Sequence, residues 1–123
     1  LGLNNVKMLF NIVPEAAKYL VERDIKDIAK STVFNAKPDA LCVSGLTAGA
    51  ETSAQTLSVV KQAAGNTAVF TNTGCRKDNI AAQLEIADGA VVGTTFKFDG
   101  KFENMVDKSR VKEFMDVVRA FRS

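Results

Sequence analysis

The sequence predicts an α/β fold of the (βα)4 type, with four parallel strands and helices on their outer face. Two observations carry that prediction. Apolar runs of strand length alternate with segments whose apolar residues recur every three or four positions, the period of a helix. The strand-like runs are also almost continuously apolar rather than alternating, which marks parallel strands covered on both faces.

The elements follow in order. "VKMLFNI" (6–12) is the first strand. Ile25, Ile28, Ala29, Thr32, Val33 and Ala36 form one face of a helix, and Pro38 stops it because proline cannot continue the hydrogen-bond ladder. "ALCVSG" (40–45) is the second strand. Ser53 is placed to cap a helix with Leu57, Val60 and Ala64 inward, closed by Gly65 and Asn66. "TAVFTNTG" (67–74) is the third strand, followed by a helix capped by Asp78 with Ile80, Leu84 and Ala87 inward. "GAVVGTT" (89–95) is the fourth. A long connection (96–107) leads to a helix capped by Asp107, with Val111, Phe114, Met115, Val118 and Phe121 as its apolar stripe. Connections of that length in βα proteins are often functional or hold a short extra helix. The four units repeat in structure without clear self-similarity in sequence.

At 123 residues the chain has room for one domain, 1–123, with one core. It is 46% hydrophobic and 24% charged, an ordinary globular composition. A net charge of +2 is too small for a nucleic-acid footprint, and no apolar run has the length of a membrane span. Neither nucleic acid nor membrane is an expected partner. With no secretory leader recognisable and two cysteines, Cys42 and Cys75, outside any CxxC, a reducing cytoplasm is the expected location. The same pattern predicts no metal site, and the absence of histidine excludes imidazole chemistry from this chain. The first residues, "LGLNNVKMLF", run almost at once into an apolar stretch, as if the chain were entered within its fold.

Ligands of parallel βα proteins sit at the carboxyl ends of the strands. Those ends are Asn11, then Ser44 and Gly45, then Asn72, Thr73 and Gly74, then Gly93, Thr94 and Thr95. Glycine lets an anion approach backbone amides, and hydroxyls add donors. In eight-stranded barrels the loops after the last two strands commonly build a phosphate site. If the third and fourth strands here are those two, "TNTG" and "GTT" face one anion. The alternative is plain turn geometry. Lys97 could reach the anion or be solvated. Asn11 is a further site candidate or a structural amide. Cys75 could be a reactive thiol or an incidental turn residue, and Cys42 a buried strand residue. Glu15, Glu51 and Asp99 are acid or base candidates, or surface charges. Phe96, Phe98 and Phe102 line a pocket or cover a rim.

Three segments carry a resemblance to a known family: "DALCVSGLTAGAETSAQTLSVVK" (39–61), "TNTGCRKDNI" (71–80) and "ADGAVVGTTFKFDGKFENMVDKSRVKEFM" (87–115). Together they resemble the C-terminal half of the BtpA/SgcQ family. "VKMLFNIVPEAAKYL" is similar to its sugar-operon branch, while the photosynthetic branch carries a role in photosystem I biogenesis. The resemblance implies a TIM barrel of roughly 250 residues, of which this chain supplies strands five to eight. It carries phosphate-site positions onto Ser44, Gly45, Gly74, Gly93 and Thr94, to which the strand-end reading adds Thr73 and Thr95. It implies a phosphorylated sugar-like ligand, no cofactor, and an isomerase, lyase or hydrolase when full length, with catalytic residues unassigned. The other class it implies is a non-catalytic binding or assembly factor. A third reading, a flavodoxin-like open sheet, lacks a phosphate loop after the first strand. A half-barrel alone leaves open edges and an inner apolar face, so a homodimer or larger assembly is expected.

Overall fold

The computed structural model describes residues 2–13, 20–47 and 49–123. Four strands, β1 (Leu9–Val13), β2 (Ala40–Val43), β3 (Ala68–Thr71) and β4 (Gly89–Ala90), form one sheet in the order 1-2-3-4, every neighbouring pair parallel. They alternate with α1 (Ile25–Ala36), α2 (Ala54–Ala63), α3 (Ile80–Leu84) and α4 (Lys108–Arg122). Two short 3-10 turns, Thr94–Phe96 and Phe98–Gly100, lie in the last connection. Sequential order and uniform parallel pairing are the arrangement of half a TIM barrel. Among the described residues no helix is long and apolar enough to cross a membrane.

Local chemistry sets the ends of the helices. The Asp24 carboxylate accepts the Lys26 amide at 2.8 Å and starts α1; Lys37 closes it in a left-handed conformation, its amide donating to the Val33 carbonyl at 3.1 Å. Ser53 accepts the Thr56 amide at 3.1 Å, and Asp107 accepts the Ser109 amide at 2.9 Å. Asp78 does not cap α3. The cap position is Asn79, and the Asp78 carboxylate pairs instead with Arg76 Nε at 3.1 Å.

Strand alternation divides the apolar runs between two faces. Leu41, Val43 and Val69 are fully buried against Ile28 and Ala29 of α1 and Leu57 and Val60 of α2. Asn11, Cys42, Phe70 and Gly89 are register partners in one row on the opposite face. A Cβ on Gly89 would come within 3.0 Å of the Phe70 ring, so glycine makes room for that ring. The apolar runs therefore do not all point toward a barrel centre; their alternate members face the helices. A second cluster joins Cys75, Ile80, Phe114 and Val118, with Phe96 edge-on to Phe114 at 5.1 Å.

One device ties successive strands twice. The Asp39 amide donates to the Met8 carbonyl at 2.9 Å, and the Met8 amide donates back to the Asp39 carboxylate at 2.8 Å. Asp88 does the same with Val69, at 2.8 Å in both directions. Each aspartate directly precedes a strand, β2 or β4, and clamps the strand before it. The fourth strand is much shorter than "GAVVGTT" suggests. After Val91, whose amide donates to the Thr71 carbonyl at 2.9 Å, the chain leaves the sheet for the first 3-10 turn. Phe121 also departs from the expected stripe of α4, being 40% exposed.

A candidate anion cleft at the strand ends

The turn after β3 and the turn after β4 meet at one cleft. Asn72 to Arg76 and Val91 to Thr95 line this open cleft of about 450 Å³, together with Gly49, Gly100, Phe102 and Arg110. Of the expected site residues, Thr73, Gly74, Gly93, Thr94 and Thr95 share this cleft.

Ser44, Gly45 and Asn11 lie at the neighbouring strand ends and are not among its described walls. They are joined to it by hydrogen bonds. The Asn72 side-chain amide donates to Ser44 Oγ at 2.9 Å, and Ser44 Oγ donates to Asn11 Oδ1 at 3.3 Å. The Gly45 amide donates to Thr73 Oγ1 at 2.6 Å, and that hydroxyl donates to the Ala50 carbonyl at 2.7 Å. Gly45 and Gly74 also share a packing role. A Cβ on Gly45 would lie 2.4 Å from the Ala50 carbonyl oxygen, and one on Gly74 would lie 2.5 Å from the Glu51 amide nitrogen. Both glycines let the segment at Ala50–Glu51 press against the strand ends. Gly93 has open space where its Cβ would be.

A polar network, buried at Thr52, Thr71 and Gln83, reaches out to the exposed Glu51. Thr71 Oγ1 donates to Gln83 Oε1 at 2.9 Å, and Gln83 Nε2 donates to Glu51 Oε1 and to the Thr52 carbonyl, each at 3.0 Å. The Asn79 amide, which also bonds the Gly74 carbonyl at 2.9 Å, acts with Gln83 and Arg76 to hold the Glu51 carboxyl below its ordinary range, against the upward push of partial burial. Glu51 is thus a fixed carboxylate within a structural network. Burial pushes the Cys75 and Cys42 thiols up, away from the thiolate form a nucleophile needs. Lys97 Nζ donates to the Phe102 carbonyl and lies 4.4 Å from the centre of the Phe102 ring, so it pins the last connection (96–107), a strap beside the cleft, and is not among the residues that line the cleft. Asp99 is exposed in that strap, Phe98 is exposed beside it, and Glu15 lies outside the described residues.

Two arginines at the cleft were not read as site residues from the sequence. Arg76 is spent on Asp78, on the Gly74 carbonyl at 3.2 Å and on Glu51 at 3.3 Å. Arg110 reaches back from the first turn of α4 and donates through Nε to the Thr95 carbonyl at 2.8 Å. A cation in the first turn opposes the helix dipole. Lys108 shares that mismatch, so the sequence alone does not single out Arg110.

Four parallel βα units in one sequentially ordered sheet, with an open cleft at the ends of the last two strands, define an α/β protein of the half-TIM-barrel class. Within that class the chain belongs to the BtpA family, whose model matches residues 2–120. It is 57% identical over 122 residues to the sgc region protein SgcQ of Escherichia coli, an alignment that covers 99% of this chain and 46% of that protein. It is 24% identical over 115 residues to the photosystem I biogenesis protein BtpA of Synechocystis sp., covering 94% of this chain and 40% of the relative. An uncharacterized protein of Thermococcus kodakarensis is 30% identical over 99 residues, 80% of this chain and 38% of its own length. The chain spans less than half the length of these curated relatives.

Proposed function

We propose that the protein carrying this chain binds a phosphorylated, sugar-like small molecule at the strand-end cleft, as the C-terminal half of a TIM barrel. The observation that supports this reading is the convergence of the two glycine turns, 72–76 and 91–95, on one cleft. Loops after the last two strands are where barrels commonly hold phosphate. An active site on a barrel draws on strand ends from both halves, so the 123-residue chain alone is expected to be inactive. The test is the thermal midpoint of the complete gene product across a panel of sugar phosphates and their unphosphorylated sugars. A true ligand at a hundredfold excess over its Kd stabilises by about 2.7 kcal/mol. A midpoint that moves with none of the phosphates, or equally with the free sugars, would overturn the reading.

A second reading, a binding or assembly factor without turnover, is favoured by one observation. Phe98, Phe102, Met105 and Val106 are all exposed on the strap beside the cleft, an apolar surface suited to a protein partner. The name of the Synechocystis relative, a photosystem I biogenesis protein, agrees with such a factor. Sugar-phosphate turnover by the complete protein would exclude this second reading.

A further inference from the structure

We propose that Arg110 is the residue that grips the ligand, as a two-pronged donor for a phosphate monoester; this rests on the cleft reading above. The bond from Nε to the Thr95 carbonyl fixes the plane of the guanidinium. Its two terminal nitrogens have no hydrogen bond or ion pair among the described residues. The carboxylates that feel its charge, Asp107 and Glu113, spend their hydrogen bonds on Ser109 and Lys77. Gly100 leaves the space beside it: a Cβ there would stand 3.4 Å from Arg110 Nη2.

Arg110 and Arg76 therefore differ in kind although both border the cleft. All three nitrogens of Arg76 are already bonded, and it braces the turn after β3. Arg110 is anchored at one nitrogen and open at the other two, the geometry that receives two oxygens of one oxyanion. Thr94 and Thr95 also line the cleft and bring two hydroxyls as candidate donors, a set that suits a phosphoryl group with three free oxygens better than a planar carboxylate.

The experiment is titration of inorganic phosphate, and separately of acetate, into the complete gene product by calorimetry at fixed ionic strength. Arg110→Gln should weaken phosphate binding by roughly ten- to a hundredfold, the range for a charge-assisted hydrogen bond. Arg110→Lys keeps the charge and loses the fork, so it should still bind several-fold more weakly; it also serves if the glutamine variant fails to fold. Lys108→Gln removes an exposed positive charge two residues away that lines no part of the cleft and has no hydrogen bond or ion pair among the described residues; it should leave phosphate binding within about twofold, as expected of a screened surface charge. Phosphate affinity that survives both Arg110 variants overturns the fork while the cleft reading stands. Equal loss in Lys108→Gln reduces the effect to long-range charge and overturns it too. Acetate bound as tightly as phosphate overturns the phosphoryl assignment. No phosphate binding by the unaltered protein sinks the cleft reading and the fork together.

Discussion

At the scale of the residue, glycines in similar turns do different work. Gly45 and Gly74 sit where the Ala50–Glu51 backbone comes too close for any Cβ, and Gly74 is also left-handed at φ 67°. Gly45→Ala and Gly74→Ala must displace backbone, and each should cost about 1–3 kcal/mol, the range for overpacking. Gly93 has open space where a Cβ would stand, so Gly93→Ala displaces no backbone and should cost less than either of the other two. Chemical denaturation of the three variants checks this. Equal losses at all three would show that the close approach of Ala50–Glu51 is not what those two positions require. The sequence marked all three glycines as strand-end turns, and that placement was legible. It could not separate them, because the crowding partner of Gly74 lies more than twenty residues away. Arg110 was hidden for the same reason: its contact, Thr95, lies across the last connection. At Gly93→Asp the expected result is different from alanine. A carboxylate on that open wall of the cleft repels a bound phosphate and should abolish phosphate affinity while leaving the fold intact.

At the scale of the element, the apolar runs named the strands, and the expected caps named two of the four helix starts, α2 and α4. Ser53 and Asp107 cap as their spacing predicts. Asp78 fails because Arg76, two residues earlier, captures its carboxylate, a competition that helix-start patterns do not contain. The seven-residue run at β4 pairs over only two residues because after Val91 the chain turns away into the first 3-10 turn. What pattern could not show is the aspartate clamp before β2 and β4, which makes these elements sensitive to acid. The Met8 amide and Lys7 lower the Asp39 pKa below its ordinary 3.8. At Asp88, burial pushes the pKa up, but Lys61 and the Val69 amide outweigh it and the net direction is down. A carboxyl with a lowered folded pKa stabilises the fold fully above its unfolded value and loses that contribution as pH falls through the folded one. The thermal midpoint should therefore fall as pH drops below about 4. Asp88→Asn should begin less stable at pH 7 and lose less between pH 5 and pH 2. A variant as acid-sensitive as the parent would show that the clamp does not carry the dependence.

At the scale of the whole molecule, the half-barrel order 1-2-3-4 leaves β1 and β4 each with one strand neighbour among the described residues. On and just before β1, Met8 is 44% exposed and Leu9 45%, and Val91 beyond β4 is 42% exposed. These side chains are worth about 1.5–3 kcal/mol each when fully buried. The unpaired amides and carbonyls along each edge invite another strand. The row of Asn11, Cys42, Phe70 and Gly89 faces away from the helices, where a closed barrel would pack its second half. Curated relatives are about twice as long as this chain, enough for that second half within one polypeptide. In the 123-residue chain taken alone, a second copy is the available source. We expect that chain to form a homodimer or larger assembly, two copies closing edge to edge about a two-fold axis over an interface of more than roughly 2,000 Å². Leu9→Glu, which places a charge on the open edge, should shift sedimentation toward the monomer and lower solubility. A polypeptide that carries both halves, as the length of the relatives allows, would fill the same edges from within, and the identical substitution there should reduce stability without changing the number of subunits. Analytical ultracentrifugation at micromolar concentration tests the pair. A stable, soluble monomer of the 123-residue chain would mean that its sheet closes on itself, and that outcome would overturn dimeric closure.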